Sequence, residues 1–188
     1  MKNLQIRFIF VMILSLMIQM TTVQLGWSFE RKVLFEDFTS TTCPPCAAAA
    51  DAVEGGIEQA GDDIVAAIAM HVWWPGAGND PWYLDNPDEN RQRTSNYYGV
   101  RGVPTYYIDG ALYNSDRTAN AFENALRSAA EEEAPISLDL SAVIISGKLV
   151  VSATINAEDD LENVRLYLAL NEDHVRYNAP TGQRDHYD

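Results

Sequence analysis

Hydrophobic and polar positions along this chain follow two rhythms, one before Pro135 and another after it. Residues 33–38, VLFEDF, are β-branched and aromatic and predict a strand that runs into a threonine-rich turn. A helix is expected after Cys43. Pro44 and Pro45 lack an N–H, but a first helical turn offers those donors no acceptor, so the cost is small, and Ala47 to Ala50, Ala52 and Val53 propagate the helix. Gly55 and Gly56 each weaken it by about 1 kcal/mol relative to alanine. A kink or early end is expected there, with Gly61-Asp62-Asp63 as the firmer stop.

Residues 64–70, IVAAIAM, are apolar at both sets of alternating positions, which predicts a central strand covered on both faces. From His71 to Asn86 the pattern breaks into Trp, Pro, Gly and Asn and reads as a long loop. Asn86-Pro87-Asp88-Glu89 then has the chemistry of a helix start, with a capping side chain, an early proline and acids at the positive dipole end; the helix is expected to reach Tyr97 or Tyr98. A turn over 99–104 leads to a strand at 105–108, a hairpin at Asp109-Gly110 and a return over 111–113. Ala121, Phe122, Ala125, Leu126 and Ala129 recur at helical spacing. Glu131 to Glu133 oppose the dipole at that helix's end, and Pro135 marks a boundary.

Beyond it the rhythm becomes strict alternation: Ile136, Leu138, Leu140; then Leu149, Val151, Ala153; then Val164, Leu166, Leu168, Leu170. These predict strands of an all-β module over 135–188, with Ser146-Gly147-Lys148 as one turn. The stretch is small for an independent β-sandwich core. Completion by residues outside this chain, or by a partner, is expected.

Charge and the N-terminus add a compartment. Lys2 and Arg7 precede an apolar run over 8–20, shorter than the roughly 20 residues a spanning helix needs, with Gly26 and Ser28 at signal-peptidase spacing. Residues 1–28 therefore read as an export signal, leaving no stable membrane span after cleavage and an extracytoplasmic (periplasmic, secreted or cell-surface) protein. The net charge is −14, and two units more negative without Lys2 and Arg7. Such a chain repels phosphate backbones, so nucleic acid is a poor partner.

The two cysteines, Cys43 and Cys46, sit two residues apart where the strand gives way to the helix. Outside the cytoplasm such a pair forms disulfides. Zinc needs four ligands, and His71, His174 and His186 are scattered, so no metal is expected. A purely structural staple closing so short a loop gains little entropy. A redox pair has a physical rationale: unpaired N–H groups and the dipole at a helix N-terminus stabilise a thiolate, the form that attacks disulfides. This reading expects the Cys43 sulfur to be exposed.

The segments VLFEDFTSTTCPPC and, about 60 residues on, YGVRGVPTYYIDG resemble the thioredoxin superfamily, over roughly 31–134. The resemblance implies an α/β thioredoxin-like fold over 29–134, a central mixed sheet flanked by helices, followed here by the partial, sandwich-like all-β module. It implies Cys43 and Cys46 as catalytic residues, Pro104 as a cis proline packed beside them, and Val103 and Thr105 as substrate-binding residues, Val103 through its backbone. It also implies a buried acid six residues before the first cysteine, Asp37, although the adjacent Glu36 could hold that role. Departures from the simplest members are Thr42 in place of a tryptophan, Pro-Pro between the cysteines, and the long 71–86 connection. Trp73, Trp74, Trp82 and Tyr83 on that connection either line a substrate groove or pack it onto the domain. His71 reads as a packed or hydrogen-bonded residue.

The function expected is exchange of disulfides with protein substrates, without a cofactor, with an unidentified redox partner restoring the pair. The lack of a nearby basic residue argues for a reductive or isomerising direction. The rival is a non-catalytic surface adaptor using the same fold as a scaffold.

Overall fold

A computed structural model describes residues 29–76 and 79–171; the expected export signal lies outside the described residues. Strand β1 (Val33–Thr39) is followed by helix α1 (Pro44–Ala60) and strand β2 (Val65–His71). Short helices α2 (Pro81–Asp85) and α3 (Pro87–Arg91) follow, the latter continuing as a π-helical turn over Gln92–Tyr97. Strands β3 (Thr105–Ile108) and β4 (Ala111–Tyr113), helix α4 (Ala119–Ala130) and strands β5 (Ile136–Ile145) and β6 (Lys148–Ala157) complete the order.

Four strands form one mixed sheet in the order β2-β1-β3-β4, with β1 parallel to β2 and antiparallel to β3. Strand β1 is thus interior, between β2 and β3. It is buried along nearly its whole length, whereas β2, expected at the centre, lies at the sheet's edge with Ala66 exposed and residues 67–71 half-buried. The run is apolar at nearly every position, with three alanines, and apolarity alone does not set a strand's place in its sheet.

Alternation along β1 sends its side chains to two different environments. Val33 and Phe35 face α1 and α4, where Phe35, Tyr106 and Phe122 meet ring to ring at 5.1–5.9 Å and Val53, Ile108 and Leu126 close the core. Glu36 and Phe38 face the opposite way. Phe38 packs edge-on against Tyr98 and Tyr107, and Glu36 receives both arms of Arg93 from the π-helical turn, at 2.6 and 3.0 Å.

Helix α1 runs through Gly55-Gly56 without ending there, and those glycines serve the helix crossing. A Cβ on Gly56 would collide with the Cβ of Phe122 on α4, and one on Gly55 would lie 3.3 Å from Ala119. The loop read over 71–86 contains α2, capped by Asp80, whose side chain accepts the Tyr83 N–H. Asn86 stands before α3 as expected but makes no side-chain cap; its amide donates to Glu89 instead. The hairpin at Asp109-Gly110 forms, with both residues at positive φ (47° and 80°).

The β5–β6 ribbon makes a separate antiparallel pair. Its register puts Ile136, Leu138, Leu140, Ala142 and Ile144 opposite Ala157, Ile155, Ala153, Val151 and Leu149, so one face is wholly apolar. Most of that face is exposed. Residues 164–170, expected as a further strand, form none. That segment meets the rest of the chain through isolated contacts: Tyr167 near Tyr97 and Arg93, and the Asn171 amide donating to the Ala67 carbonyl at the edge of β2.

Candidate functional site

The turn after β1 delivers Cys43 as the N-cap of α1, in extended backbone (φ −107°, ψ 103°). Cys43 and Cys46 are joined as a disulfide with their Cα atoms 5.3 Å apart. The Cys46 N–H donates to Cys43 Sγ at 3.2 Å and to the Cys43 carbonyl at 3.0 Å. No acid lies in the helix's first turn to cancel the positive end of its dipole. Chemically, a thiolate on Cys43 would sit where the peptide N–H groups of α1 point.

The sulfur is not exposed. Cys43 is 1% and Cys46 3% accessible in the disulfide form, while Pro44 and Pro45 between them are open to solvent. Two segments distant in sequence pack here, one on the pair and one on the turn just before it. The first is the cis peptide Val103–Pro104, whose Val103 carbonyl oxygen lies 3.7 Å from Cys43 Sγ. Thr105 beside it donates its hydroxyl to the Gly102 carbonyl.

The second segment is the connection after β2. Gly76 N–H donates to Thr42 Oγ1 at 3.0 Å, and any Cβ at Gly76 would collide with the Thr42 side chain. Asp80, almost fully buried, accepts from the Thr41 N–H (2.7 Å), the Tyr83 N–H (3.0 Å) and His71 Nδ1 (2.8 Å). Burial pushes the Asp80 carboxyl up, but the hydrogen bond and charge of His71 with the two backbone donors outweigh it and hold the group below its usual range. Asp80 therefore ties the cysteine-bearing turn to the connection through Thr41. Sequence reading overlooked it, since only its place before Pro81 marked it, as a helix cap.

The strand alternation separates the two candidate acids. Asp37 shares the face of Val33 and Phe35, under α1, and is 7% exposed. Its charge, after burial, raises the pKa of the neighbouring Tyr106. Glu36 lies on the other face, bound by Arg93 and by the Tyr98 hydroxyl at 2.5 Å. Arg93 is raised chiefly by that hydrogen bond, and Tyr98 by burial and then by Glu36.

His71 is a hydrogen-bonded residue at the end of β2, its ring 5.1 Å from that of Trp82. Trp73 meets Trp74, Tyr83 and the guanidinium of Arg91. These aromatics pack among themselves. Among the described residues there is no group of three or more His, Cys, Asp or Glu placed to hold a metal, and no helix long and apolar enough to cross a membrane.

Fold and site together define an α/β unit with a mixed sheet, a C-x-x-C disulfide at the N-terminus of its first helix, and a second, antiparallel ribbon. No family model matches the chain, and no curated protein matches it. Among solved structures it is similar to HBP35 of Porphyromonas gingivalis, with a TM-score of 0.50 and 20% identity over 62% of this chain. The likeness is one of fold, and it spans 38% of that protein's length.

Proposed function

We propose that this protein is a thioredoxin-superfamily thiol–disulfide oxidoreductase acting outside the cytoplasm, with protein disulfides as substrates. In the reduced protein the Cys43 thiolate attacks one sulfur of a client disulfide. That S–S bond breaks, a mixed disulfide forms, and the client's second sulfur leaves as a thiolate. Cys46, deprotonated, then attacks Cys43 Sγ, freeing the reduced client and closing the Cys43–Cys46 bridge, so two electrons pass to the client. The reverse sequence oxidises a client dithiol. A separate dithiol donor restores the reduced pair.

The observation that carries this reading is the setting of Cys43 Sγ, which accepts the Cys46 N–H and lies 3.7 Å from the carbonyl of Val103 beside cis Pro104. Asp37, on the α1 face of β1, is the acid assigned to deprotonating Cys46. Val103 and Thr105 offer their backbone to an extended client segment. The export signal expected over residues 1–28 and the disulfide favour the oxidising compartment. With no cationic side chain bonded to the sulfurs among the described residues, the helix N-terminus is the main stabiliser of the thiolate, which favours a reductive or isomerising direction over strong oxidation.

Trapping tests the proposal. Cys46→Ser is expected to accumulate mixed disulfides with clients and Cys43→Ser to accumulate none. Absence of adducts from both variants, with no reduction of insulin by the wild type, contradicts it. A second reading, a scaffold adaptor without catalysis, is favoured by one observation, the exposed apolar face of the β5–β6 ribbon. That same double negative supports it.

A further inference from the structure

Beside the cis peptide a groove of about 310 Å³ opens between the 99–104 turn and the outer edge of the sheet, with Pro104, Thr105, Tyr107 and Leu112 in its lining. Two arginines, Arg101 and Arg117, line it as well. In a chain with 27 acidic and 13 basic residues, two cations in one groove run against the average.

The other arginines of the sheet unit are already engaged. Arg31 pairs with Asp109, Arg93 with Glu36, Arg127 with Glu123, and Arg91 bonds the Tyr83 hydroxyl. Arg101 makes no ion pair or hydrogen bond among the described residues. Arg117 meets no carboxylate there; it donates to the Pro104 carbonyl at 3.4 Å and lies 5.5 Å over the Tyr106 ring. That contact anchors one guanidinium to the peptide that follows the cis bond, one residue from the Val103 oxygen that faces Cys43 Sγ.

Resting on the exchange reading above, we propose that this groove selects clients whose disulfide is flanked by acidic residues, Arg101 and Arg117 receiving the carboxylates as the client chain passes Val103. The net charge of the protein favours basic clients, so a preference for acidic ones has to come from this local field.

The test uses the full chain and three synthetic peptides, each with one disulfide, identical except for acidic, neutral or basic residues beside the cysteines. Rates of reduction by the pre-reduced protein are divided by the neutral-peptide rate of the same variant, which cancels any general loss of fold. The wild type is expected to favour acidic over basic peptide by about three- to tenfold, the range two partly exposed ion pairs provide. R101S with R117S is expected to abolish or invert that preference, while R117K retains most of it. A wild-type ratio of one or below, or a ratio unchanged in the double variant, overturns the inference. Binding of the same acidic peptide with serines for cysteines is measured in parallel. Arginine-dependent binding without any exchange upholds the groove and sinks the exchange reading; exchange without charge preference does the reverse.

Discussion

Strand β1 and the β5–β6 ribbon both send alternate side chains to opposite faces, yet among the described residues β1 is the most buried strand and the ribbon one of the most exposed parts. The difference lies in what each has to pack against. Both faces of β1 meet a partner: α1 and α4 on one side, Arg93, Tyr98 and Tyr107 on the other. The ribbon's apolar face, from Leu138 and Leu140 to Ile155, meets none among the described residues that would bury it. Alternation thus specifies which residues share a face and leaves open what covers it.

The sharpest way to break this contrast is a pair of truncations. Phe122→Ala removes a fully buried ring and is expected to cost about 3–5 kcal/mol in denaturant unfolding, whereas Leu140→Ala, 59% exposed, is expected to stay within about 0.5 kcal/mol. Comparable losses would mean that the ribbon is covered in solution.

On the other face of β1, Glu36→Gln leaves Arg93 facing a neutral amide. The loss expected is about 2–4 kcal/mol, toward the lower side for a buried pair because Arg93 is partly open to solvent. Equilibrium unfolding of Glu36→Gln beside Arg93→Met checks it: the two costs should overlap strongly when combined.

Gly56→Ala sets two effects against each other. Helix propensity favours alanine by about 1 kcal/mol, and overpacking against Phe122 costs about 1–3 kcal/mol. A net destabilisation is expected. A more stable variant would mean that α1 and α4 cross more loosely than described.

The smallest effect belongs to Asp80 and appears in acid. Its folded carboxyl holds a proton less tightly than the unfolded one, so its stabilisation is complete at neutral pH and is lost as pH falls below about 4, through the lowered folded value. The gap in unfolding midpoint between wild type and Asp80→Asn should therefore narrow on acidification. A constant gap would show that Asp80 contributes by packing alone.

Local signals in the sequence located most of the elements, because strand, helix and hairpin in the sheet unit are marked by short-range chemistry: VLFEDF, the Pro-Pro start, Asp109-Gly110. Position within the sheet was not legible. The pattern of β2 resembles a central strand, yet the interior place goes to β1, which buries Glu36 against Arg93 and carries Asp37 on its other face. Cys43 and Cys46 were visible as a pair and the N-cap geometry followed from Pro44-Pro45. The burial of Cys43 did not, since Val103, which lies against its sulfur, is 60 positions away, and the Gly76 contact with Thr42 and the Asp80 contacts with Thr41 and His71 are likewise encoded by no local spacing.

That burial makes alkylation of the reduced protein the most direct test of whether Cys43 is a reacting sulfur. Under mild reductant at neutral pH, iodoacetamide followed by peptide mapping is expected to label Cys43 ahead of Cys46, with a rate–pH profile whose midpoint falls below the ordinary thiol value of about 8.5. If neither cysteine is modified near neutrality after the bridge has been reduced, the helix N-terminus holds no available thiolate and the exchange mechanism is contradicted.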